Sequence, residues 1–269
     1  MAKRLFSRGY ESYGTRVLFR ADDPDLLDEV TDIARTGLLG NVERATGGKF
    51  PLIFDIRSKG GELSVEKNGA YVTGGTLNKP FRKHFDGIIR ISVGEFAPRL
   101  VFLHAGAVAW RGRGVVMPAD SFSGKSTLVK ELVSAGAEYY SDDFAILDER
   151  GLLNPFPRKI SMRTREETFT PYEIDPATLR GAIGSKAVPI AMVLLSRYRR
   201  HARWTPRRLS TGEGVLKTLP YALAVRRQPD LCLKVLNTIA GRGIMVETAR
   251  GDAARAARNI IDFLDKVED

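Results

Sequence analysis

A stretch near the middle of the chain carries the residue types of a phosphate-binding loop. Residues 119–127 read ADSFSGKST and match the pattern G-x-x-x-x-G-K-[ST] at every fixed position except the first, where Ala119 replaces glycine. In such a loop the backbone N–H groups form a nest for anions, and the following helix presents its positive N-terminus to the same phosphates. We expect Lys125 to reach the β- and γ-phosphate oxygens and Ser126 to ligate Mg²⁺. The candidate nucleotide-binding residues are Ser121, Phe122, Ser123, Gly124, Lys125, Ser126 and Thr127.

The segments around this loop favour the same interpretation. The apolar residues 115–117 predict a short strand before it, and an apolar stripe after it predicts a helix that ends at Gly136. A Gly-Lys pair in an ordinary helix-capping loop is the alternative, and it does not require this strand–loop–helix order. Ala119 is the one departure, because a methyl group tolerates a positive φ less well than glycine does.

Two aspartates follow the loop at a short interval. Residues 139–146 read YYSDDFAI, and Asp142 lies seventeen positions after Lys125. Because the active-site residues of parallel sheets gather at the carboxyl ends of strands, we expect Asp142 and Asp143 to lie beside the phosphate loop. One carboxylate could hold Mg²⁺, and the other could take the proton from an attacking hydroxyl. A solvated surface turn is the alternative.

The segments LHAGAV, SFSGKS and SDD, taken in this order and at this spacing, resemble the catalytic domain of the HPr kinase/phosphorylase family. The likeness is closer to the smaller HPr-kinase-like proteins, which include kinases of serine in ribosomal peptides such as lasso peptides. It covers roughly residues 100 to 165. It implies an α/β fold, with a P-loop kinase domain of the type shared with phosphoenolpyruvate carboxykinases.

The resemblance also implies a role for individual residues. Lys125 and the loop amides would hold the triphosphate, and Ser126 would ligate Mg²⁺. Asp142 would accept the proton of the acceptor hydroxyl, while Asp143 would help to hold the metal. His104 occupies the position of a family histidine that lies close to the reaction centre. Judged without the resemblance, His104 on an apolar stretch is more typical of a core histidine.

The first part of the chain predicts a scaffold or substrate-docking lobe that is rich in β-structure. Asp23 and Pro24 mark the start of a helix that ends at Gly37, and residues 50–57 predict a strand. Residues 63–72 predict a hairpin around an Asn-Gly turn. Residues 88–93 fit either another strand or the end of a helix.

The second part of the chain has the order of strands and helices that is typical of an α/β domain. Residues 190–195 predict a buried strand, and residues 253–267 predict an amphipathic closing helix. We therefore divide the chain into an N-terminal β-rich lobe, residues 1–98, and a P-loop catalytic domain, residues 99–269.

The charge of the chain predicts an anionic partner. Its 269 residues include 42 Lys+Arg against 32 Asp+Glu, a formal net charge of +10, and the 43% of hydrophobic residues excludes intrinsic disorder. Six arginines and two aromatic residues lie in residues 197–208, RYRRHARWTPRR. This tract predicts either a docking site for nucleic acid or an acidic peptide, or a solvated loop. Arg158, Lys159 or Arg163 could supply charge to a transferring phosphate.

The remaining composition signals predict a cytoplasmic protein with no membrane partner. The N-terminus has no apolar segment typical of a signal peptide, and the longest apolar stretch, residues 187–195, is too short to span a bilayer. The single cysteine, Cys232, lies in an apolar run and predicts a buried structural thiol.

Together these signals predict a Mg²⁺-dependent kinase that transfers the γ-phosphoryl group of ATP, or of another nucleoside triphosphate such as GTP, to a hydroxyl. The expected acceptor is a serine of a peptide or protein. Two alternatives stay open: a kinase of a small hydroxylated metabolite such as free serine or a sugar, and a nucleotide-dependent module that binds nucleic acid. The oligomeric state is open as well.

Overall fold

The computed structural model describes residues 5–120, 123–163 and 171–266. The chain divides into two compact units, Met1–Arg99 and Leu100–Asp269. None of the helices in these described ranges has the length and apolarity that crossing a bilayer requires.

The first unit is a six-stranded sheet packed against two helices. The sheet order is β3-β1-β2-β4-β5-β6, in which β2 and β4 are parallel and the other neighbours are antiparallel. The elements are β1 (Phe6–Ser12), β2 (Thr15–Ala21), α1 (Pro24–Gly37), β3 (Glu43–Arg44), β4 (Leu52–Lys59), β5 (Glu62–Lys67), β6 (Ala70–Thr76) and α2 (Lys79–Phe96).

Local signals determine where these elements begin and turn. Asp23 caps α1 by accepting a hydrogen bond from the backbone N–H of Leu26 at 3.0 Å, which confirms the predicted helix start. Asn68 and Gly69 both adopt a positive φ between β5 and β6, as a tight hairpin turn requires, so the predicted hairpin is also confirmed. Residues 88–93 belong to the helix α2 and not to a strand. The start signal is Asn78, whose side chain caps the helix at the N–H of Phe81.

The second unit is built on a mixed eight-stranded sheet with helices on both faces. Its sheet order is β11-β10-β7-β8-β14-β16-β15, with β9 paired to β7 and a further pairing between β11 and β14. The strands of this sheet are β7 (Leu100–Trp110), β8 (Arg113–Pro118), β9 (Glu138–Ser141), β10 (Phe144–Asp148), β11 (Leu152–Asn154), β14 (Val188–Tyr198), β15 (Arg207–Arg208) and β16 (Ile244–Arg250). Two further strands, β12 (Ile160–Arg163) and β13 (Pro171–Ile174), form a separate antiparallel pair. Its helices are α3 (Lys125–Ser134), α4 (Thr211–Thr218), α5 (Pro229–Arg242) and α6 (Ala253–Lys266).

Two hydrophobic cores flank this sheet. One joins α3 and α6 to one face, and the other joins α4 and α5 to the opposite face. The α/β fold class, the buried strand at residues 190–195 and the closing helix are thereby confirmed, although Val267 lies outside the described residues. Cys232 is fully buried in α5, where burial raises the pKa of its thiol to about 11, as expected of a structural cysteine.

Strand β7 brings the phosphate loop and the aspartate pair together. Pro118, at the end of β8, pairs with Ala105, and Ser141, at the end of β9, pairs with Ala107. The phosphate loop, which follows β8, and the aspartate pair, which follows β9, therefore begin at the same edge of the sheet. Their two strands flank β7, one on each side. The expected proximity is present, but β7 runs antiparallel to both neighbours, so it arises in a mixed sheet and not in a parallel one.

The close approach of α3 to β7 depends on Gly106. A Cβ atom at this position would lie 2.5 Å from Cγ2 of Val129 and 3.1 Å from Cγ of Lys125. Only a residue without a side chain leaves room for the first turn of α3 against the strand.

We expect Gly106→Ala to lower the free energy of unfolding by about 1–3 kcal/mol, because the added methyl group overpacks the contact between α3 and β7. Urea denaturation measures the change. The matched control is Gly241→Ala in α5, where a Cβ would meet nothing within 4 Å. That substitution should raise stability by up to about 1 kcal/mol through helix propensity. Equal effects of the two variants would contradict the packing role of Gly106.

Candidate functional site

The segment before α3 has the backbone geometry of an anion-binding loop. Gly124 immediately precedes the helix with a φ of +82°, and its carbonyl oxygen accepts the first helical hydrogen bond, from Leu128 N at 3.1 Å. The N–H groups of residues 125–127 therefore have no partner within the helix and lie at its positive end. Among the described residues, no side chain caps these groups. Ser121 and Phe122 lie outside the described part of the chain.

Ala119 fits the loop without strain. It is buried and does not adopt a positive φ. The glycine of the general pattern is therefore not needed here for its conformational freedom.

Lys125 is a largely buried cation surrounded by carboxylates. Its Nζ lies 3.5 Å from the carbonyl oxygen of Ala119, over the start of the loop. Burial lowers the pKa of Lys125 to about 8, while the charges of Asp143, Asp142 and Asp120, in decreasing order, act to raise it. An anion bound in the loop would also raise the pKa of Lys125, as the three carboxylates do, and would favour the charged amine.

Asp142 connects the aspartate pair to the phosphate loop. Its carboxylate is buried, and Oδ2 accepts hydrogen bonds from Ser126 Oγ and from the backbone N–H of Ser161, both at 2.9 Å. Oδ1 lies 3.2 Å from the hydroxyl of Tyr139, which also lies 2.7 Å from the carbonyl oxygen of Arg158. Burial raises the pKa of Asp142, although the hydrogen bonds from Ser161 and Ser126 act to lower it.

The hydrogen bond between Ser126 and Asp142 also determines how Ser126 can act. Because the Ser126 hydroxyl donates its hydrogen to the carboxylate, its lone pairs remain to face a cation. Hydroxyl and carboxylate oxygens are the hard ligands that Mg²⁺ prefers, and the ion typically takes its other ligands from phosphates and water. Within the described ranges, no group of three or more His, Cys, Asp or Glu residues could hold a metal ion.

A backbone hydrogen bond between Asp143 and Ala105 places Asp143 next to His104 of β7. The carbonyl oxygen of Asp143 accepts a hydrogen bond from the N–H of Ala105 at 3.1 Å, and its side chain is half-buried. His104 pairs in register with Phe144 and lies on the face of β7 that Gly106 presents to α3, since strand side chains alternate. Its ring and the Phe144 ring form a T-shaped pair, with centroids 6.0 Å apart. The structure therefore places all the predicted catalytic residues around residues 104–107 of β7.

Arg250 is a site residue that the sequence did not reveal. It ends β16, is only 3% exposed, and donates from Nη2 to the carbonyl oxygens of Ser123 and Gly124 at 3.1 and 2.8 Å. These two bonds hold the backbone of the loop directly before α3. A Cβ at Gly124 would lie 2.8 Å from this same nitrogen, so the arginine and the positive φ both require glycine there.

The other basic candidates are dispersed. Arg158 contributes its carbonyl oxygen to Tyr139, Lys159 follows it, and Arg163 ends β12 where the described chain breaks off. The tract at residues 197–208 begins at the end of β14 and reaches β15.

No protein-family profile matches the chain, and no curated protein matches it at a significant level of similarity. The function of the chain is therefore inferred from its residues and from the geometry of the site.

We expect Arg250→Met to lower the free energy of unfolding by about 1.5–3 kcal/mol, because two half-buried loop carbonyls lose a charged donor. The matched control is Arg242→Met, which removes a 2.9 Å bond from an exposed guanidinium to the carbonyl of Arg150. The control should change stability by less than about 0.5 kcal/mol. Urea denaturation of both variants tests the difference, and an Arg250 variant no less stable than the control would refute the role given to Arg250.

Proposed function

We propose that this protein is a Mg²⁺-dependent kinase that transfers the γ-phosphoryl group of a nucleoside triphosphate to a hydroxyl of a peptide or protein serine. Its second unit would be a P-loop kinase domain similar to that of the HPr kinase/phosphorylase family. The observation that carries the proposal is the 2.9 Å hydrogen bond from Ser126 to Asp142. It joins a phosphate-binding loop to a buried carboxylate, the two parts that phosphoryl transfer to a hydroxyl requires.

The loop and Lys125 supply the means to bind a triphosphate. The free N–H groups of residues 125–127 and the helix dipole favour phosphate oxygens at this position. Lys125 adds a charge that burial has already stripped of most of its water, so its attraction to an anion is screened less than at the surface. The donor would be ATP, with GTP as the other candidate.

Ser126 and Asp143 are the residues that would hold Mg²⁺. Ser126 offers the lone pairs that its bond to Asp142 leaves free, and Asp143 offers a half-buried carboxylate whose charge acts on Lys125. When bound, the ion would neutralise charge on the β- and γ-phosphate oxygens.

Asp142 is suited to act as the general base. A carboxylate whose pKa is raised by burial accepts a proton more readily than an exposed one. In the reaction the acceptor oxygen attacks the γ-phosphorus, the bond from that phosphorus to the bridging oxygen breaks, and a nucleoside diphosphate leaves. The hydroxyl proton passes to Asp142. His104, which lies on the face of β7 that Gly106 presents to α3, would help to orient the reacting groups.

We expect Asp142→Asn to reduce transfer by about 10²–10⁴-fold, because the base is lost while the amide can still accept the hydrogen bond from Ser126. The measurement is incorporation of label from γ-³²P-ATP into serine peptides, free serine and sugars, with nucleotide affinity followed by calorimetry. Nucleotide affinity should stay within a few-fold of the wild type. Asp262→Asn, an exposed carboxylate on α6, is the matched control and should behave as the wild type.

The same experiment separates the alternatives. Label in free serine or a sugar, and not in peptides, would identify a metabolite kinase. Nucleotide binding without transfer to any acceptor would refute the kinase proposal, and unchanged transfer in the Asp142 variant would refute the base assignment alone.

We expect the affinity for the triphosphate to fall as the pH rises above 8. In the free protein the pKa of Lys125 is about 8, so the neutral amine prevails at higher pH. The bound anion favours the charged amine, so Lys125 must then take up a proton when the triphosphate binds. Binding should weaken by up to about tenfold per pH unit above 8 and stay flat between pH 7 and 7.5. Titration calorimetry in a buffer that contains EDTA measures this pH dependence of the affinity in the absence of metal ions. Lys125→Arg should remove the dependence, since arginine stays charged throughout; a parallel fall in both proteins would contradict the assignment.

A further inference from the structure

The arginine tract at residues 197–208 separates into two parts in the structure. Arg207 is held by ion pairs to Glu213 and Glu247, at 3.3 and 2.9 Å, and lies with Arg208 in β15. The other four arginines lie within residues 197–203, a segment that we call the arginine turn. They are exposed, and none of them forms an ion pair with another described residue: Arg197, Arg199, Arg200 and Arg203.

The arginine turn lies at the same edge of the sheet as the phosphate loop. It begins where β14 ends, and β14 runs parallel to β8, whose end leads into the loop. The N–H of Arg199 donates to the carbonyl oxygen of Arg250 at 2.9 Å, and the side chain of Arg250 in turn holds the loop. The charges of Asp120, beside the loop, and of Arg197, in the turn, both act on the pKa of Tyr221, so both residues lie near its hydroxyl.

The aromatic residues of the tract do not form a platform for stacking bases. Trp204 is half-buried, with its ring packed edge-on against Phe263 at 6.4 Å. Tyr198 is 59% exposed, but its ring lies 5.9 Å from the guanidinium of Arg250, which covers part of one face. Binding of single-stranded nucleic acid relies on successive aromatic rings along the groove. The turn offers the rings of Tyr198 and His201 and four guanidinium charges, a composition that fits carboxylates better than a row of stacked bases.

We propose that the arginine turn docks an acidic segment of the acceptor polypeptide, so that carboxylates beside the acceptor serine pair with Arg197, Arg199, Arg200 and Arg203. The proposal rests on the kinase function proposed above and specifies its acceptor as an acidic peptide or protein. Guanidinium groups form bidentate pairs with carboxylates, and a cluster of them at the mouth of a site raises the local concentration of an anionic partner.

The test compares two charge-reversal variants that change the net charge equally. Arg199→Glu with Arg200→Glu alters the turn. Arg150→Glu with Arg242→Glu alters two exposed arginines near the start of β16, at the opposite end of that strand, and is the control. The probes are a fluorescein-labelled peptide with a serine flanked by six glutamates, the same peptide with glutamines, and a twenty-nucleotide deoxythymidine strand. Anisotropy without nucleotide measures docking, and label from γ-³²P-ATP measures transfer.

At low salt we expect the glutamate peptide to bind and to have a KM about tenfold or more below that of the glutamine peptide. The variant of the turn should lose this preference, with KM for ATP within about twofold of the wild type, and the control should keep it; tenfold corresponds to about 1.4 kcal/mol. Equal binding of the two peptides, loss of preference in the control, or tighter binding of the oligonucleotide would overturn the proposal. Because anisotropy needs no turnover, it decides docking even where no acceptor is phosphorylated, an outcome that would refute the kinase function separately.

Discussion

The hydrogen bond between Ser126 and Asp142 depends on how closely α3 can approach β7. The two residues belong to segments that leave opposite sides of this strand, and only the missing side chain of Gly106 lets the first turn of α3 lie against it. The bond in turn orients the Ser126 hydroxyl and engages one oxygen of Asp142. Packing at a single glycine thus positions both the candidate metal ligand and the candidate base.

Three buried charged groups share this small region, and they differ in how well the protein satisfies them. Arg250 donates to two loop carbonyls, and Asp142 accepts from a hydroxyl and a backbone N–H. Among the described residues, the hydrogen bond of Lys125 is a long one, 3.5 Å to a carbonyl oxygen, and burial lowers its pKa to about 8 although three carboxylates act to raise it. Burying a charge without full compensation costs stability. An anion bound beside Lys125 would offset part of that cost, which suits this group to bind a ligand.

Sequence predicted the parts of this structure that local chemistry determines. The cap at Asp23, the Asn68-Gly69 turn and the loop ending at Gly124 each act within a few residues, and all three were predicted. Residues 88–93 were ambiguous, because a short apolar run fits both helical and strand periods. The mixed sheet and Arg250 were missed, since both depend on contacts between distant segments. Arg250 holds carbonyls 126 and 127 positions away, and no pattern around it indicates this.

The net charge of +10 does not originate in the site itself. Around the loop, Lys125 lies near three carboxylates, those of Asp120, Asp142 and Asp143, and Arg250 is the second buried cation. The loop therefore attracts phosphate at short range, through its oriented N–H groups, and exerts little electrostatic attraction at long range. The exposed arginines of the arginine turn supply a positive field that reaches about 8–10 Å at physiological ionic strength. The N–H groups of the loop thus select the nucleotide at short range, while the arginine turn raises the local concentration of an acidic acceptor.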